Sequence, residues 1–100
     1  MRPKKLRVVR CSQKERCFRP RAIAPSKLQT VHLTLDEFEA IRLADLEQLK
    51  HVDAAKGMHI SRPTFSRILA SAYAKVADGL VNLKEIKIEG GCCKIAKKRC

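Results

Sequence analysis

The side chains best placed to do chemistry are crowded into one stretch. Ser61, Arg62, Thr64, Ser66 and Arg67 lie almost side by side, with Ser71 and Lys75 further along. Arginine can donate two parallel hydrogen bonds to O6 and N7 of guanine, and hydroxyls can reach a base edge or a phosphate. The residues between them have helical spacing: Phe65 and Ile68 are three apart and share one face. The polar set then points the other way, as in a helix laid in a DNA major groove. Arg62 and Arg67 lead as base contacts. The competing reading for each is a salt bridge or a contact to phosphate alone.

The cysteines are the second candidate chemistry. Cys11, Cys17, Cys92 and Cys93 lack the two-residue spacing that marks zinc ligation, yet they flank the central region on both sides. If the two ends meet, four thiolates could hold Zn²⁺ or an iron–sulfur cluster; the alternative is unligated thiols. Cys100, at the extreme end, is the least suited to a structural role. His32, His51 and His59 are scattered and read as surface or turn residues. Asp36, Glu37, Glu39, Asp45, Glu47 and Asp53 fall mainly on one short helical region and read as a solvated face. No phosphate-binding glycine loop and no supported Ser/His/Asp set is present, so the expectation is a protein that is not an enzyme.

Several elements must position the polar stretch. It belongs to VDAAKGMHISRPTFSRIL (52–69), which has the spacing of a helix-turn-helix. The small pair Ala54 and Ala55 sits where two crossing helices approach, and Met58 and Ile60 flank a tight turn. Ser61 is the N-cap of the last helix and Pro63 lies in its first turn, where a missing N–H costs nothing. The apolar face continues through Phe65, Ile68, Leu69, Ala72, Val76 and Leu80, and the helix ends near Asn82. The preceding helix, about 51–57, begins poorly because Lys50 is a weak cap. His59 occupies a turn position where glycine is usual.

Further upstream, Thr34 and Glu37 form a capping box that opens a helix over about 35–48. Its stripe is Leu35, Phe38, Ile41, Leu46 and Leu49, with Leu43 at the edge. Thr30–Leu33 and the alternating 84–89 segment read as short strands able to pair with each other, and a short extended piece is expected at Leu6–Val9. The fold class expected is mainly α: a three-helix helix-turn-helix domain with a short β-strand pair and basic tails. Three regions follow: a basic N-terminal arm (1–29), the helix-turn-helix domain (30–91) and a Cys/Lys-rich tail (92–100).

Charge points to the same partner. The chain has 100 residues and a net charge of +12, well beyond what solubility needs, and a polyanion is the natural counterpart. Residues 1–27 carry ten Lys/Arg against the single acid Glu15, whereas 28–60 carry three basic and six acidic residues. From 61 to 100 the count is nine to three. This asymmetry suggests a docking face rather than loose packaging of nucleic acid. Arg2, Lys4 and Lys5, with Arg7 and Arg10, could form an arm along the minor groove or backbone. No apolar run is long enough for a transmembrane helix, and the N-terminus lacks the apolar core of a secretory signal, so the cytoplasm is expected.

The segments 33–47, 54–81 and 86–91 (IKIEGG), with the MRPKK opening, together resemble a family of short prokaryotic proteins. Its largely uncharacterised members are predicted DNA binders with a helix-turn-helix similar to region four of sigma factors. The resemblance implies binding of double-stranded DNA for transcription control, with no enzymatic activity and no defined operator. Members often carry a cysteine near Cys11. Three positions depart from the pattern: Lys50 replaces a Ser-type cap, His59 the turn glycine, and Gly79 a helix-favouring alanine.

A lone domain of this size buries little DNA surface, which makes a homodimer on a two-part site an expectation. Two other readings compete with this one. One is an RNA-binding or ribosome-associated protein, disfavoured by the lack of stacking aromatics beyond Phe18 and Tyr73. The other is a module docking on the transcription machinery.

Overall fold

Thr34 turns the chain from strand to helix. In the computed structural model, which describes residues 7–9, 16–90 and 93–95, its capping box is complete. The Glu37 N–H donates to Thr34 Oγ1 at 3.4 Å, and the Thr34 N–H donates to Glu37 Oε1 at 2.9 Å. These bonds open helix α1, Leu35–Ile41.

The helix expected over 35–48 does not run straight. From Arg42 to Leu46 the backbone widens into a π-type turn, closed by the Glu47 N–H on the Arg42 carbonyl at 2.9 Å. Each extra residue in a turn delays the angular advance of the side chains. Leu43 therefore swings inward to 6% exposure, while Leu46 and Leu49 are left 74% and 40% exposed. The stripe through Leu46 and Leu49 is corrected accordingly, because an unbroken 3.6-residue period does not hold there.

Helices α2, His51–Gly57, and α3, Arg62–Val81, follow. Lys50 supplies no side-chain cap to α2. The end of α2 is a Schellman motif: the Ile60 N–H reaches the Ala55 carbonyl at 3.0 Å and the His59 N–H reaches that of Lys56 at 3.1 Å. His59 takes the left-handed position, φ 58°, and Gln48 (57°) and Leu83 (54°) do the same after the π-type turn and α3. The α1–π segment, α2 and α3 thus each close on a left-handed residue that is not glycine.

α3 opens on Ser61, whose Oγ accepts from the Thr64 N–H at 3.3 Å. Phe65, Ile68, Leu69 and Ala72 are buried, with Val76 packed beside them. Leu80 is not: it is 67% exposed, and Gly79 holds the inward position instead. A Cβ on Gly79 would stand 2.5 Å from Ile86 Cγ1, so the glycine lets α3 lie directly on the sheet.

That sheet has three strands rather than a pair. β4, Glu85–Ile88, is central, parallel to β3, Thr30–Leu33, and antiparallel to β2, Arg16–Phe18. The β3–β4 pairing matches expectation, with Val31 opposite Ile86 and Leu33 opposite Ile88. β2 lies within the stretch read as a basic arm. Its Arg16 guanidinium sits 4.6 Å from the centre of the Phe38 ring. A second parallel pair, β1 (Arg7–Val9) with β5 (Cys93–Ile95), places Arg7 opposite Cys93 and brings the two ends of the chain alongside each other.

Two apolar clusters result. One joins α1, the π-type turn, α2 and α3 through Ala40, Leu43, Ala54, Ala55, Met58 and Phe65. The other joins α3 to the sheet through Leu33, Ala72, Ile86 and Ile88. The solvated acidic face expected on α1 is also corrected. Asp36, Glu37 and Glu39 are 8%, 6% and 0% exposed, because each carboxylate has partners that replace water. Asp36 accepts from the Thr34 hydroxyl. Glu39 takes a two-pronged contact from Arg42, Nε to Oε1 at 2.7 Å and Nη2 to Oε2 at 3.0 Å. No helix among the described residues is long and apolar enough to cross a membrane.

Candidate nucleic-acid interface

The first two turns of α3 carry the polar stretch on an exposed flank, and the buried Phe65 behind it fixes its height above the core. His51 braces the same point, its ring edge-on to Phe65 at 5.3 Å. Ser61 Oγ donates to Thr64 Oγ1 at 2.9 Å, and Arg67 Nη2 donates to the same oxygen at 3.5 Å. Arg67 is thus tethered lightly along the helix surface. Arg62 and Ser66 are exposed beside it.

Several cations among the described residues are neutralised within the fold. Arg19 pairs with Glu85 at 2.6 Å, Arg42 with Glu39, Lys75 with Glu37 at 2.8 Å, and Lys84 with Asp78 at 3.1 Å. Lys50, Lys56, Arg62 and Arg67, by contrast, have no carboxylate partner among the described residues. All four belong to α2, α3 or their flanks and are exposed; Arg21 and Lys27, before β3, are likewise exposed and without a carboxylate partner among the described residues. Their positive potential is therefore available to an external anion, tempered locally by the exposed Asp53. Lys50 and Lys56 were not among the residues singled out from sequence, where Lys50 counted only as a weak cap. Their positions, Lys50 just before the 51–57 helix and Lys56 in its last turn, were the signal available.

Two proposed contact residues face elsewhere. Ser71 Oγ donates to Glu37 Oε2 at 2.5 Å, and Lys75 Nζ donates to Glu37 Oε1 at 2.8 Å. Together they lock α1 to α3. Burial pushes the Glu37 carboxyl up, but the bonds from Lys75, Ser71 and Thr34 outweigh it, leaving the pKa below the ordinary carboxylate value. Glu85 is likewise lowered, chiefly by the Arg19 hydrogen bond. Ser71 and Lys75 are therefore structural links first.

Arg2, Lys4 and Lys5 lie outside the described residues, as do Cys11 and Cys92, and of Cys93 only the backbone is described. Cys17 is a free thiol of intermediate burial in β2. Among the described residues no group of three or more His, Cys, Asp or Glu side chains is arranged to hold a metal ion.

The arrangement defines a small, mainly α domain with a short sheet and an unneutralised basic surface on one helix pair. The chain belongs to the family described as "Protein of unknown function DUF134", whose profile matches residues 1–96. It is 51% identical over 90 residues to a UPF0251 protein of Chlorobium chlorochromatii, covering 90% of this chain and 51% of the relative. It is 50% identical over 90 residues to one of Prosthecochloris aestuarii, covering 90% and 58%. Against the UPF0251 protein TTE1845 of Caldanaerobacter subterraneus it is 50% identical over 94 residues, covering 94% and 80%. The chain thus spans little more than half the length of the first two relatives. No solved structure matches it.

Proposed function

We propose that this chain binds double-stranded DNA sequence-specifically through a helix-turn-helix formed by α2, the turn at Met58–Ile60 and α3. It then acts as a transcription regulator in the prokaryotic cytoplasm, without enzymatic activity of its own. The observation that carries the reading is the exposed start of α3. There Arg62, Ser66 and Arg67 stand free of internal ion pairs on a helix whose opposite face is buried in the core. A helix about 10–12 Å across fits a major groove about 12 Å wide. In this arrangement Arg62 and Arg67 read base edges, while Lys50 and Lys56 on α2 meet phosphates.

The RNA reading draws less support. Phe65 is fully buried and Phe38 lies under Arg16, which leaves only Phe18 and Tyr73 as exposed aromatic rings.

The deciding experiment is selection of bound fragments from sheared genomic duplex DNA, repeated with single-stranded RNA and with RNA polymerase as competitors. Enrichment of one motif is expected. Arg62→Ala and Arg67→Ala should each cost about 1–3 kcal/mol of specific affinity and relax preference at one position. Equal retention of all duplexes, or preferential capture of RNA or of polymerase, would refute the proposal.

A further inference from the structure

The buried side of α3, with Phe65, Ile68, Leu69 and Ala72, fixes which residues stand opposite the core. Over the first three turns these are Pro63, Ser66, Arg67 and Ala70, all exposed, at steps i, i+3, i+4 and i+7. Recognition helices that lie along a major groove touch bases with residues at this same spacing. Ser66 and Arg67, at the centre of the strip, suit hydrogen bonds to base edges. Ala70, at its far end, has nothing to donate or accept.

Two contacts define the surroundings of Ala70. Arg67 Nη2 donates to Thr64 Oγ1 at 3.5 Å, which leans the guanidinium toward the start of α3 and away from the alanine. One turn beyond Ala70, the Tyr73 hydroxyl donates to Asp45 Oδ1 at 2.8 Å and holds an exposed carboxylate beside the helix. That charge repels phosphates, whereas from Arg62 to Ala70 the helix carries no acid. A duplex seated on the start of α3 therefore ends its contact near Ala70, whose methyl group lies open at the edge of the strip.

We propose that Ala70 is a specificity-determining residue that selects thymine through the 5-methyl group of the base, a role that rests on the duplex reading above. Thymine is the base whose major-groove edge carries an apolar group; the others present N7, O6 or amino groups there. Against an alanine those polar groups lose water and gain no partner. Methyl against methyl instead removes apolar surface from water. Ala70 lies about 4.5 Å along α3 from Arg67, and about 9 Å from Thr64, toward which the guanidinium leans, at 1.5 Å per residue. With bases about 3.4 Å apart along a strand, the thymine falls roughly one to three steps from the guanine that Arg67 reads.

Deoxyuridine provides the test, because it pairs as thymine does and lacks only the methyl group. The probe is the duplex selected from genomic DNA, remade with each thymine in turn replaced by deoxyuridine, and titrated with the unaltered chain. One replacement should weaken binding about three- to five-fold, the effect of one methyl-sized group lost from a dry contact. It should lie within about three steps of the base pair whose preference Arg67→Ala relaxes. In Ala70→Gly the thymine and deoxyuridine duplexes should bind equally at that position; both are compared on one variant, so a loss of helix stability cancels. If glycine abolishes binding, Ala70→Gln, a good helix former, takes its place. Its amide pairs with adenine N6 and N7, so selection should return adenine there in place of thymine. Equal affinity for every duplex, a thymine–deoxyuridine difference that survives in Ala70→Gly, or continued thymine selection by Ala70→Gln would overturn the role of Ala70. In those cases a motif is still selected and the duplex reading stands. No selected duplex with the unaltered chain would sink both.

Discussion

Alanine in place of Gly79 should destabilise this domain, although the change improves the helix. In an open helix interior, Gly→Ala gains about 1 kcal/mol. Here the new Cβ would stand 2.5 Å from Ile86 Cγ1 and 2.7 Å from Cδ1, roughly 1 Å inside the 3.5–4.0 Å optimum for carbon contacts. Cγ1 is one bond from the Ile86 Cβ, and β4 is held on both sides by β2 and β3, so the isoleucine has little room to retreat. Overpacking of this kind costs about 1–3 kcal/mol. The net loss is then up to about 2 kcal/mol, and each kcal/mol lowers Tm by about 4–8 °C in a domain of this size. Urea unfolding followed by far-ultraviolet circular dichroism reads it directly, as a lower midpoint at constant slope. The same substitution in an Ile86→Ala background, where the obstructing atoms are gone, should be neutral or stabilising by up to about 1 kcal/mol. Stabilisation of the unaltered chain by Gly79→Ala, or an equal effect in both backgrounds, would show that α3 does not press on β4.

Three further outcomes are expected. His59→Gly should stabilise by about 0.5–1 kcal/mol, because a left-handed φ of 58° strains any residue with a Cβ; a lower urea midpoint would count against the Schellman closure of α2. Glu37 and Glu85 have lowered pKa values in the folded chain, so their stabilisation is present above the ordinary carboxylate pKa of about 4.3 and is lost as pH falls through the folded values. Glu37→Gln should flatten that acid-side loss, and a midpoint-versus-pH curve parallel to the unaltered chain's would contradict it. Lys50→Gln and Lys56→Gln should each weaken duplex binding evenly across sequences and lower the salt slope by about 0.9; slopes equal to the unaltered chain's would remove these lysines from the phosphate contacts.

Much of the helical layout was legible in the chain. The Thr34–Glu37 box, the Ser61 cap with Pro63 behind it, and the left-handed turn at His59 are local devices. Their signals lie within a few residues, so sequence order alone locates them. The pairing of Thr30–Leu33 with the 85–88 strand was legible too, from β-branched residues in the first and alternation in the second. Legibility failed where an interaction partner was distant or the period broke. The π-type turn at 42–46 changes the helical phase without a marker residue, and Leu43 exchanged places with Leu46. β2 is only three residues long, too short to show an alternation, and its pairing to β4 makes it a strand.

The site shows the same division. The polar stretch from Ser61 to Arg67 was readable because helix spacing separates its inner and outer residues. Which hydroxyls and cations remain free on its surface was not readable. Ser71 and Lys75 look like outward donors in one dimension, yet both close on Glu37, more than thirty positions earlier in the chain.

The order of amino acids by itself determined the caps, the helices they open and close, the basic character of the chain and the core side of α3, because each depends on short-range geometry and composition. Only the tertiary structure decided which charges neutralise one another, that Gly79 is a contact point rather than a flaw, and that Lys50, Lys56, Arg62 and Arg67 are left exposed without a carboxylate partner among the described residues. Those outcomes depend on distances between residues far apart in the chain, and such distances exist only after packing brings them together.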